Sequence, residues 1–170
     1  VTFNGLKKVL SRIDGIDVVF EDKYWRLKLS KEMFCDYRLV LDFFKNKKDD
    51  YAFLYAIVKR GEFLSGVKKE WLLEAQSNLN FDLIDCLLVY SKALYKGKKY
   101  ARVLEVAGSI LQMDDLNVQA YHYQLNCLAK QGSSNKAQFL FDKFCEKYQK
   151  THVKKFDSDL KGFLQADVDR

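Results

Sequence analysis

The chain has 170 residues, of which 48% are apolar and 15% aromatic, and a formal charge of +6. That length buries one sizeable core plus a small appendage and excludes a second full enzyme domain. No apolar stretch approaches the roughly 18–20 residues of a membrane span, so no membrane contact is expected and a cytoplasmic setting is.

Proline is absent, although average usage would supply about eight in this length. Helices must then be stopped by Gly, Asn, Ser or Asp, and the eight glycines are expected to carry that burden. Lysines are spread along the whole chain without a block of like charge, which reads as a solvated surface or a weakly basic face toward an acidic partner. Cys35, Cys86, Cys127 and Cys145 are far apart and form no C-x-x-C pair, so they read as buried free thiols. The opening "VTFNGLKKVLSRI" lacks the apolar run of a signal peptide and enters a helical pattern at once, so a piece of a longer protein is expected.

From Thr2 to Ile13, Phe3, Leu6, Val9, Leu10 and Ile13 recur at helical steps, with Lys7, Lys8, Ser11 and Arg12 on the other side. Asp14-Gly15 closes this helix, and "IDVVF" and "YWRLKL" around Glu21-Asp22-Lys23 read as a β-hairpin, with Tyr24 and Trp25 packing between hairpin and helix. After Ser30 the pattern is helical. "DYRLVLDFF" puts Tyr37, Val40, Leu41 and Phe44 on one face with Asp36 as cap. "DDYAFLYAIVKRG" opens at Asp49 or Asp50 and ends at Gly61. The apolar Phe63 and Leu64 imply that the following loop packs, with Trp71 as a core anchor beneath it.

A long helical stretch runs from about Lys69 to Lys96, where Asn78 or Asn80 is a possible interruption. A second helix covers about Lys99 to Met113, and two more meet at Gln131-Gly132-Ser133-Ser134. Val153, Phe156, Leu160, Phe163 and Leu164 keep helical spacing and predict a last, partly docked helix.

Shifted by 34 positions, Leu94 falls on Leu128, Val103 on Ala137, Val106 on Leu140, Ala107 on Phe141 and Ile110 on Phe144. This period, with two helices per unit, a turn glycine and a small residue five positions on (Gly132, Ala137), resembles the tetratricopeptide repeat. Gly97 lies one residue early relative to Gly132, and Asp115 stands where that repeat usually has Pro. The fold class expected is mainly α: a tetratricopeptide-like superhelix of stacked antiparallel helix pairs, with a small N-terminal helix plus β-hairpin.

From about Cys35 to Tyr148 the order of segments, with Gly61, Leu64, Gly66 and Trp71 at the entry and Tyr121, Leu128, Gly132 and Ala137 later, resembles the bacterial transcriptional activator domain of SARP-type regulators. In that family a helical region follows an OmpR-type winged helix, and "NGLKKVLSRI" with "IDVVFEDKYWRLKL" looks like its recognition helix and wing. The resemblance implies two domains: residues 1–31 as the C-terminal part of a winged helix, and 32–170 as the tetratricopeptide-like activator domain. It implies DNA contact, made through the full-length winged helix, at Lys7, Lys8, Ser11 and Arg12, with Lys23 on the wing. The tetratricopeptide resemblance implies that the first helix of each repeat lines a groove bearing Lys92, Lys96, Gln119, His122, Asn126 and Lys130, for a protein partner or self-association.

His122 and His152 are the only histidines, and no nucleophile motif, phosphate loop or metal-ligand spacing accompanies them. No catalytic residue, metal or cofactor is expected. The functional expectation is the regulatory and interaction module of a DNA-binding transcription regulator; the alternative is a stand-alone tetratricopeptide-like adaptor.

Overall fold

The computed structural model describes residues 3–61, 63 and 69–166, with Trp71 described in its backbone alone. The expectations placed on Leu64, Gly66 and the Trp71 side chain lie outside the described residues. The chain forms two compact units that divide between Asn46 and Lys47.

In the first unit, α1 (Phe3–Leu10) precedes a two-stranded antiparallel sheet of β1 (Ile16–Glu21) and β2 (Tyr24–Leu29). Asp22 and Lys23 both have positive φ, 51° and 68°, the backbone that a two-residue turn needs to match the twist of its strands. The Phe3 ring stacks on Trp25 with centroids 4.9 Å apart, so Trp25 does join helix to hairpin. Tyr24 points away and is exposed, which corrects its expected packing role. The helix ends at Leu10, short of Ile13, because Arg12 and Ile13 donate to carbonyls only three residues back, at Val9 and Leu10.

The unit ends in α2 (Asp36–Lys45). Cys35, not Asp36, is its N-cap, and no side chain caps it; Asp36 stands in the first turn, where its charge meets the positive helix end. Val40 and Phe43 are the buried residues, whereas Tyr37 and Leu41, expected on the inner stripe, are exposed. The buried face follows the three-residue step from Val40 to Phe43, not the four-residue step from Val40 to Phe44.

The second unit is all helical. Asp50 caps α3 (Tyr51–Val58) by accepting from the Phe53 N–H at 3.0 Å. The half-buried Phe63 is tied down as its carbonyl accepts from Gln76 Nε2 at 2.8 Å. α4 (Glu70–Lys96) is one unbroken helix of 27 residues. Asn78 does not interrupt it because that side chain is on the exposed face, while Leu72, Leu79, Leu83 and Leu87 bury a continuous stripe. Burying a leucine contributes about 1.5–3 kcal/mol, well above the roughly 0.7 kcal/mol that asparagine loses in a helix.

α5 (Tyr100–Met113), α6 (Val118–Lys130), α7 (Ser134–His152) and α8 (Leu160–Gln165) follow. Asp114 accepts from the Leu116 N–H and from Asn117 Nδ2, and Asn117 in turn caps α6 at Ala120, so two polar side chains make the turn that proline makes elsewhere. Each helix from α4 to α7 packs on the next, and α4 also meets α6, as α6 meets α8. The second unit is therefore a tetratricopeptide-like stack of antiparallel helix pairs.

The 34-residue shift holds in the packing. Val103, Val106, Ala107 and Ile110 of α5 are fully buried; at the equivalent places in α7, Ala137, Phe141 and Phe144 are buried and Leu140 is half-buried. Three glycines assigned to breaks are inside helices instead: Gly5 in α1, Gly108 in α5 and Gly162 in α8. At Gly108 an added Cβ would stand 3.7 Å from Gln124 of α6, an ordinary van der Waals contact, so the packing there does not require a glycine. Val153 does not begin the last helix; it ends α7 in a left-handed conformation, φ 55°, and is 92% exposed.

Candidate functional site

Because α4 and α6 are neighbours offset by one repeat, side chains 34 positions apart share one face of the stack. On α6 that face carries Gln119, His122, Asn126 and Lys130; on α4 it carries Asp85, Leu88, Lys92 and Lys96. The six residues expected in a groove are thus carried by two helices in contact, α4 and α6. Lys96 and Lys130 are exposed there, and Lys92, Gln119, His122 and Asn126 are half-buried.

Burial on α6 comes from α8. Phe163 is buried, and its ring centroid is 5.7 Å from that of His122. Asp159 fixes the entry to α8 by accepting from the Gly162 N–H at 2.7 Å. Relative to α6, this short helix takes the place that α6 takes relative to α4. The last helix thus docks as its spacing predicted, but the surface it covers is not set locally, since Phe163 meets partners some twenty to forty residues upstream. Asn126 is held by its own helix: Nδ2 donates to the His122 carbonyl at 3.1 Å and is also 3.1 Å from the ring Nε2. Its Oδ1 is the atom it offers outward.

The turn end of the stack is basic. Helix ends α4, α5, α6 and α7 place Lys96, Lys98, Lys99, Lys130 and Lys136 there, all exposed. At the other end, α4 overruns the end of α5 and leaves a cleft lined by Ser77, Asn80, Phe81, Ile84, Met113, Asp114 and Asp115. Asp115 is paired with Lys147 of α7. This cleft escaped the sequence reading, because it exists only where helices of unequal length lie side by side.

The four cysteines are free thiols. Burial pushes the Cys127 thiol up to about 11, and burial together with Asp85 and Asp82 raises that of Cys86. Among the described residues no group of three His, Cys, Asp or Glu side chains could hold a metal ion. No described helix is long and apolar enough to cross a membrane.

In the first unit, Lys7 and Lys8 are exposed on α1, while Ser11 and Arg12 are in the turn after it. Lys23 is at the hairpin tip, beside the Asp22–Arg26 ion pair of 3.1 Å. The Phe3–Trp25 stack sets the start of α1 toward that tip, so Arg12 and Lys23 stand at opposite ends of the hairpin.

No protein-family model and no curated protein matches the chain. A solved structure similar to it is the C-terminal TPR-containing domain of an FK506-binding protein from Plasmodium falciparum, at 17% identity and a TM-score of 0.42, covering 76% of this chain and 82% of that one.

Proposed function

We propose that the helical stack is a protein-interaction module whose α4–α6 face receives an extended, acidic segment of a partner. The observation that carries this is the shared face itself: two parallel helices one repeat apart present Lys92, Lys96 and Lys130 around Asn126, at an end of the stack where further lysines gather. A carboxylate-bearing segment gains charge-assisted contacts from the lysines, and Asn126 Oδ1 accepts from one of its backbone N–H groups. Nothing in this reading calls for bond-breaking chemistry, a metal or a cofactor. The test is fluorescence anisotropy with a labelled peptide carrying a run of glutamates. Lys92→Glu combined with Lys130→Glu is expected to weaken binding about tenfold, or 1.4 kcal/mol; unchanged affinity overturns the reading.

The finer reading places this module in a cytoplasmic bacterial transcription regulator, with residues 1–31 as the end of its winged helix and DNA as a second partner. The order of helix, hairpin and helical stack supports it, as do the exposed Lys7, Lys8 and Arg12. Its test is duplex DNA binding at low salt. Lys7→Glu with Lys8→Glu should weaken retention and flatten its salt dependence. Partner binding by the stack without any DNA retention would favour the stand-alone adaptor.

A further inference from the structure

α4 presents Asp82, Asp85, Val89, Lys92 and Lys96 at successive steps of three and four residues, which aligns them in one stripe along the helix. At 3.6 residues per turn and 1.5 Å rise, the stripe is about 80° wide and about 21 Å long. Asp82, Asp85 and Lys96 are exposed, Val89 is 51% exposed, and Phe81 beside the stripe is 66% exposed. Lys92 is half-buried and engaged within the chain, so the outermost cation, Lys96, carries the argument.

The charges are antisymmetric about Val89. Carboxylates stand seven and four residues before it, ammonium groups three and seven residues after it. A helix laid antiparallel on a copy of itself, with a two-fold axis at Val89, sets Asp82 opposite Lys96 of the copy, and Lys96 opposite its Asp82. The two Val89 side chains then meet on the axis. A parallel pairing would oppose like charges along the whole stripe. A wholly acidic segment is repelled at the Asp82 end, and a wholly basic one at the Lys96 end. A second copy of this chain matches the stripe over its full length, by the self-complementarity that a two-fold interface requires.

We infer that the exposed stripe of α4 is a self-association face on which a second copy docks antiparallel about Val89. This rests on the reading of the α4–α6 face as an interaction surface. A single helix seam of this length makes a small interface, so the dimer is weak, forms at high protein concentration and loosens with salt.

Sedimentation equilibrium of the full chain at low and high salt tests it. Wild type is expected to dimerise at low salt. Asp82→Lys alone and Lys96→Glu alone should each weaken the dimer about tenfold, because each sets like charges together, and circular dichroism should show both variants folded. The double variant Asp82→Lys/Lys96→Glu should recover wild-type association, since the swapped charges again meet their opposites. A wild type that stays monomeric throughout, single variants that associate unchanged, or a double variant as weak as the singles would each overturn the inference. A monomer that still binds the glutamate peptide through Lys92 and Lys130 would sink self-association alone and leave the proposed function standing.

Discussion

Lys98 holds, in the turn between α4 and α5, the left-handed backbone that Gly132 holds between α6 and α7, with φ of 57° and 73°. The two positions are one 34-residue period apart, and the hydrogen bonds around them coincide: Lys99 N–H to the Leu94 carbonyl at 3.0 Å, Ser133 N–H to the Leu128 carbonyl at 2.9 Å. Gly97, the apparent turn glycine, has φ of −77° and needs no glycine. The repeat is therefore in register, with its glycine displaced by one residue. Left-handed backbone costs a residue with a side chain roughly 1–2 kcal/mol. Lys98→Gly should stabilise the chain by about 0.5–1 kcal/mol, and Gly132→Ala should destabilise it by about 1 kcal/mol although nothing stands within 4 Å of the added Cβ. Urea midpoints of the two variants check both signs.

Ser91 occupies in α4 the place that Leu125 occupies in α6, and both are fully buried. The Ser91 hydroxyl has no hydrogen-bond partner among the described residues. A buried, unpaired hydroxyl costs about 1–3 kcal/mol of desolvation. Ser91→Ala removes that cost with almost no change of volume, so it should leave stability unchanged or raise it by up to about 1 kcal/mol. Ser91→Leu, which would restore the residue of the other repeat, should overfill the site and lose about 1–3 kcal/mol. Opposite signs for the two in thermal unfolding are the expected result.

Much of this fold can be read from spacing. The pairs Val103/Ala137 and Ile110/Phe144 give both the repeat and its core, because helical periodicity and burial are local consequences of the same side chains. Lys96 and Lys130 follow from the same shift. What spacing hides is competition between local and distant terms. Asn78 weakens a helix locally, yet the leucines around it hold α4 intact. Val153 continues an apolar rhythm, yet it ends α7, since Phe156 leaves helical register to meet Phe144 with ring centroids 4.9 Å apart. The cover that α8 gives His122 belongs to the same class, since no local pattern specifies it.

Phe163 fastens that cover. Its ring is 5.5 Å from Phe141, 5.7 Å from Phe144 and 5.5 Å from Phe156, which makes α8 part of the second core rather than a loose tail. Phe163→Ala should cost about 3–5 kcal/mol. It should also uncover His122 and the lower part of the α6 face, which amide hydrogen exchange across α6 and α8 would report as lost protection. A loss confined to α8, with stability little changed, would mean that α8 merely rests on the stack.

Cys127 gives the fold an alkaline limit. It is fully buried between α5 and α6, and burial holds its thiol protonated up to about 11, against the ordinary 9.0. Above pH 9 the unfolded chain ionises this thiol while the folded chain does not. That ionisation favours the unfolded chain, so stability that is present in full below pH 9 is lost as pH rises through about 11. Tyr95, Tyr121 and Cys145 are raised by burial too, so they act in the same direction. Cys127→Ala removes one such group and leaves a small cavity. At pH 8 the variant should be less stable than wild type by about 1–2 kcal/mol. That gap should shrink, by an amount on the order of 1–2 kcal/mol, between pH 9 and 11. Denaturant midpoints of both proteins at pH 8, 9, 10 and 11 measure it, and two curves that stay parallel would show that Cys127 is not what limits the fold in alkali.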